Sequence, residues 1–139
     1  FVYKGDGTNQ TISSNTYTKV EFSVESIDTD SDFASNRFTP TTAGKYFVYA
    51  NIIGGNDGAS TLNYVLGKFY KNGSDYQTTS VFKQDSRGYP GSNYTVSMCH
   101  VIEFNGSSDY LEVKINMDTT VGSPDCVENS NFGAYKIIE

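Results

Sequence analysis

The stretch GKYFVYANI, Gly44 to Ile52, decides how the chain is read. Successive residues of a strand point to opposite faces. Tyr46, Val48, Ala50 and Ile52 then line one face, and Phe47 and Tyr49 line the other. An antiparallel strand with one wet face alternates apolar and polar residues. This one is apolar on both, so its second face needs a cover.

Outward from this stretch the same short alternating pattern recurs, broken by turn signals, with no helical period. The expected strands are Phe1–Lys4, Tyr17–Glu25, Arg37–Thr39, Lys45–Ile53, Asn63–Lys71, Gln77–Lys83, Tyr94–Phe104, Tyr110–Met117 and Phe132–Ile138, with a short piece near Thr11–Ser13. That inventory fits an all-β, two-sheet antiparallel jelly-roll sandwich. The chain of 139 residues is read as one domain, 1–139, long enough for a sizeable core. Tyr (11), Phe (9) and Gly (13) beside many Ser, Thr and Asn agree with a β-rich chain. The first residue is Phe1, which reads as the start of a trimmed or processed fragment.

The charge narrows the partners. At −6, without a Lys/Arg cluster, the chain has no means of neutralising phosphates, so nucleic acid is not expected. No apolar run is long enough to span a membrane, and membrane insertion is not expected.

Turns divide into two kinds. Asn72-Gly73 and Asn105-Gly106 offer the positive φ angles of tight hairpins. Gly54–Ser60, Gln84–Asn93 and Asp118–Asn131 are long. Along an up-and-down path the tight turns share one pole with the termini, and the three long loops share the other. Variable loops gathered on a rigid scaffold suit recognition. The candidate ligand-binding residues are Asn56 and Asp57 in the first loop, Arg87, Tyr89 and Asn93 in the second, and Asp125 and Glu128 in the third. Aromatic faces cover the C–H surface of sugars, while amides and carboxylates pair with hydroxyls. Ordinary exposed loops have much the same composition.

Catalysis finds little footing. His100, the sole histidine, lies mid-strand on the core-facing side with Met98 and Ile102, and no local nucleophile or orienting carboxylate accompanies it. Asp28, Asp30 and Asp32 alternate as at the start of a calcium loop, but Phe33 and Thr39 stand where that loop needs Gly and Glu. Glu21, Glu25, Glu103 and Glu112 show no spacing that predicts a shared cleft. No enzyme activity, metal or cofactor is expected. Cys99 and Cys126 are two free thiols or one bridge, which geometry decides. Asn9, Asn72, Asn93 and Asn105 lie in sequons, which matter in a secreted eukaryotic protein.

Four pieces in order carry a resemblance: NRFTPTTAGKYFVYANI (Asn36–Ile52), LGKFYKNG, VIEFNGSSDYLEVKI and NFGAYKII. Together they resemble the complement-head and tumour necrosis factor superfamily, over about Tyr17 to Ile138. Lys45 stands where that family usually has an apolar residue, and no collagen-like stalk is present. The phrasing is most similar to versions in bacteriophage tail fibres and other virion structural proteins.

The resemblance implies a homotrimer whose aromatic-rich sheet faces the threefold axis. Phe47, Tyr49, Asn51, Ser97, Cys99, Val101, Asn131, Gly133, Tyr135 and Ile137 would then meet neighbouring subunits, which supplies the missing cover. It also implies a virion location, other virion proteins as partners, and attachment to a host-surface glycan or protein. A purely structural trimerisation or capsid-decoration domain is one alternative. A secreted, complement-like recognition protein is another.

Overall fold

Tertiary pairing divides the chain into short and long strands. A computed structural model describes residues 1–56, 62–83 and 93–137, with the backbone alone over 77–83. In chain order the short strands come first: β1 (Val2–Tyr3), β2 (Gln10–Thr11), β3 (Thr18–Lys19), β4 (Val24–Glu25), β5 (Phe33–Ala34) and β6 (Arg37–Phe38). The long ones follow: β7 (Gly44–Asn56), β8 (Leu62–Lys71), β9 (Ser74–Lys83), β10 (Asn93–Phe104) and β11 (Leu111–Thr119). Then come β12 (Pro124–Cys126) and β13 (Asn131–Lys136).

The strands form two antiparallel sheets packed as a jelly-roll sandwich. In the first, β10 lies along one edge of β7 and β13 along the other, followed by β1 and β4. The second runs β5-β6-β11-β8-β9, and β3 shares an edge of β11 with β6. Tyr46, Val48, Ala50 and Ile52 fill the core from β7, each 5% exposed or less. Val65, Phe69, Val113, Ile115 and Met117 meet them from the opposite sheet. The expected inner face of GKYFVYANI is therefore the observed one.

Three local expectations change. Tyr17–Glu25 is two strands and not one: β3 pairs with β11 in the second sheet, and β4 pairs with β1 in the first. Between them the chain crosses the sandwich edge, plugging the core with Val20 and Phe22. The crossing backbone stays paired, Val20 N–H to Val113 O at 2.9 Å and Phe22 N–H to Asn36 Oδ1 at 2.8 Å. Phe33–Ala34 adds a strand where a loop was expected.

Residues 124–126 also form a strand inside the third long loop. β7 is 13 residues long and β13 only 6, which leaves Gly54–Asn56 an open edge. β12 pairs with that edge, and β2 pairs with β12.

The tight turns sit at the pole expected of them. Asn72 (φ 53°) and Gly73 (φ 79°) are both left-handed, as a type I′ hairpin requires. At the second turn only Gly106 is left-handed (φ 71°). There the Asn105 Oδ1 accepts the N–H groups of Ser107, Ser108 and Asp109, each at 3.0 Å, and the side chain takes over the work of the backbone.

Candidate functional site

The outward face of the first sheet is built in rows, because antiparallel register places residues side by side. Val101, Phe47 and Tyr135 form one row. Cys99, Tyr49 and Gly133 form the next. Ser97, Asn51, Asn131 and Tyr3 form the third. These rows carry no charged side chain; charge returns below them, where Glu103 faces Lys45.

Aromatic contact ties the rows together. The Phe47 ring lies 5.3 Å from Tyr135 and 6.3 Å from Tyr49. Tyr49 lies flat across β13, and Gly133 makes room for it: a Cβ there would come within 2.4 Å of the Tyr49 ring. Tyr135 is 59% exposed and Val101 43%, while Phe47 and Tyr49 are half-buried by their own neighbours. In the polar row, Asn51 Nδ2 donates to Asn131 Oδ1 at 3.1 Å. Ile137 follows β13 and donates its backbone N–H to Lys45 O. Phe1 stacks on Tyr3 at 6.1 Å and extends the aromatic surface past β13. Sequence reasoning did not include Phe1 and Tyr3, although Tyr3 follows from alternation once Val2 is placed in the core.

The outward face of the second sheet is ionic. Glu112, only 6% exposed, accepts from Arg37 Nε at 2.7 Å and lies 3.7 Å from Lys19 Nζ and 3.9 Å from Lys114 Nζ. Cations rest on rings: Arg37 on Tyr110 at 4.3 Å, Lys114 on Tyr70 at 4.2 Å, Lys68 on Tyr17 at 5.1 Å. A hydrogen bond to Asp75 raises the Lys68 pKa. Hydrogen bonds from Asn63 and Ser14 hold Asp118 below the ordinary carboxylate range.

No family model matches the chain, and no curated protein matches it. Among solved structures it is similar to Eiger TNF from S. frugiperda, at 11% identity and a TM-score of 0.67, over 99% of this chain and 90% of that one. The fold is the tumour necrosis factor-like jelly roll.

On this jelly roll the polar candidates separate. Asn56 ends β7 and Asn93 begins β10 opposite Gly55, so both stand at the long-loop pole. Alternation puts Asn93 on the outward face with Gly55, and Asn56, whose partner in β12 is Pro124, on the other. Asp57, Arg87 and Tyr89 lie outside the described residues. Asp125 is not a free loop carboxylate: it lies in β12 between Thr11 and Gly55 and is 9% exposed. Glu128 belongs to the turn between β12 and β13, and its Oε1 lies 3.8 Å from where a Cβ on Gly7 would stand. It sits beside the β1–β2 connection.

The remaining chemistry is structural. Asp28 accepts the Asp32 and Phe33 N–H groups through its two oxygens, so its carboxylate braces a turn. Among the described residues no three His, Cys, Asp or Glu side chains are placed to hold a metal ion. His100 packs edge-on against Tyr76 at 5.5 Å, and its Nδ1 lies 2.8 Å from Val101 O. Cys99 and Cys126 are unbridged. Cys99 is on the outward face, while burial pushes the Cys126 thiol up to about 11.

Proposed function

We propose that this chain is the head of a homotrimer that recognises a host surface from a virion appendage such as a tail fibre. The observation that carries this reading is the uncharged aromatic face of the first sheet, from Val101 across Phe47 to Tyr135. Large contiguous apolar patches on soluble domains mark interaction surfaces, and identical chains packing around an axis leave none of this one exposed. The jelly-roll fold and the resemblance of the sequence to phage virion proteins support the same arrangement.

Recognition falls to the pole opposite the tight turns, where β7 ends at Asn56 and β10 begins at Asn93. The ligand is a glycan or a protein of the host surface, held by three identical weak sites whose avidity exceeds any one contact. The reading requires neither a reaction nor a cofactor. The double variant Asn56→Ala with Asn93→Ala tests it. The variant should assemble as wild type does and adsorb more weakly to host cells. Unchanged adsorption would leave the purely structural reading, a trimerisation or decoration knob.

The likeness to Eiger TNF favours a second reading, a secreted recognition protein. Peptides of this chain in purified virions would decide for the first reading. Sugar on Asn9, Asn72, Asn93 or Asn105 would decide for the second. The unbridged thiols give the secreted reading no support.

A further inference from the structure

Where the sandwich opens between β1, β13 and the β5–β6 pair, a cavity of about 330 Å³ enters the molecule. Its floor is aromatic. Phe38 lies 5.5 Å from Tyr46 and 6.1 Å from Phe132, and Phe33 lies 6.2 Å from Phe132. Phe1 and Ile27 also line it. The volume lies at the small end of ligand cavities, which run about 300–1,000 Å³.

Its charge is mostly negative. Asp28, Asp30 and Asp32 line it, against Lys136. Asp28 is committed to two backbone N–H groups. Asp32 is only 7% exposed. Its Oδ1 accepts the Thr41 N–H at 3.0 Å and the Thr41 hydroxyl at 3.1 Å. No described residue donates to its Oδ2. Asp30 is exposed. Lys136 runs across Gly44, its Cε 2.6 Å from where a Cβ on that residue would stand. Tyr46 reports the field on the floor: burial first, then Asp32 and Asp30, raise its pKa.

We propose that this cavity binds a small organic cation, an ammonium or guanidinium group on an aryl or alkyl body. The cation meets the spare oxygen of Asp32 and the Asp30 carboxylate, and charge assistance strengthens both contacts. The body lies on the rings of Phe33, Phe38 and Phe132, whose faces also attract positive charge. The cavity shares Tyr135 and Phe1 with the edge of the aromatic face, while neither Asn56 nor Asn93 lines it. The inference does not require assembly, because the carboxylates and rings that hold the ligand (Asp30, Asp32, Phe33, Phe38 and Phe132) are not in the aromatic rows.

Amide chemical shifts of the whole chain, titrated with phenethylammonium, 2-phenylethanol and 3-phenylpropionate, test it. Phenethylammonium should give saturable shifts at Phe33, Thr42, Tyr46 and Phe132, and bind about tenfold tighter than the alcohol, as one charge-assisted contact of this kind supplies. The propionate should not bind. Asp30→Asn keeps the fold because Asp30 is exposed, and should reduce the preference for the amine. Asp32→Asn should remove it; Asp32 also braces Thr41, so the Asp30 variant decides if this one unfolds. Absence of saturable shifts at millimolar amine, or equal binding of amine and alcohol, would overturn the proposal and leave an apolar void between sheets.

Discussion

The sandwich has two outward faces, and they are finished differently. On the second sheet the rings of Tyr17, Tyr70 and Tyr110 each carry a cation, and Glu112 gathers Arg37, Lys19 and Lys114 around it. On the first sheet the same strand spacing carries Phe47, Tyr49, Tyr135 and Val101, and the adjoining row of Ser97, Asn51 and Asn131 is polar without charge. Both faces belong to antiparallel strands of similar length, so backbone geometry does not explain the contrast. A face that stays in water can hold ions at little desolvation cost. A face that leaves water cannot, unless each charge is paired. The ionic face is thus suited to solvent and the aromatic face to a partner.

The largest effect should come from making the first face resemble the second. Phe47→Glu places a carboxylate in the centre of the aromatic row, where no cation stands opposite. Assembly should fail, leaving folded single chains or aggregates by light scattering. Next is Gly133→Ala, whose methyl must displace the Tyr49 ring. Overpacking of this kind costs roughly 1–3 kcal/mol. The cost should appear in the dissociation constant of the assembly and leave the fold of the single chain intact.

Changes on the ionic face should be milder and leave assembly alone. Glu112→Ala deprives three cations of their shared carboxylate. It should lower Tm by roughly 2–4 °C, with the oligomeric mass unchanged. Asp118→Asn should do least. The folded pKa of Asp118 is depressed, so its contribution is present above the ordinary carboxylate pKa and lost as pH falls through the lowered value. Thermal melts of wild type and variant should differ slightly at pH 7, begin to approach each other below about pH 4 and meet only below the lowered pKa.

Much of this contrast was legible in the alternation of residues 44–52, because period two assigns faces without knowledge of neighbours. The inner set Tyr46, Val48, Ala50 and Ile52 needed nothing further. The hairpin at Asn72-Gly73 was legible for the same local reason. The break in Tyr17–Glu25 was not: the run is continuous in propensity, and the crossing is set by which sheet each half reaches. Pro124–Cys126 reads as loop because its strand character comes from the unpaired end of β7, a long-range demand. Asp125 was placed among exposed candidates for that reason. The cavity beside Asp32 was invisible too, since its floor draws on β5, β6, β7 and β13.

The most direct test is the mass of the folded wild-type chain in solution. Light scattering at micromolar concentration should give three times the single-chain 15.3 kDa. A stable particle of one chain, with native dispersion in its amide spectrum, would mean that the aromatic face remains in water and would contradict the account.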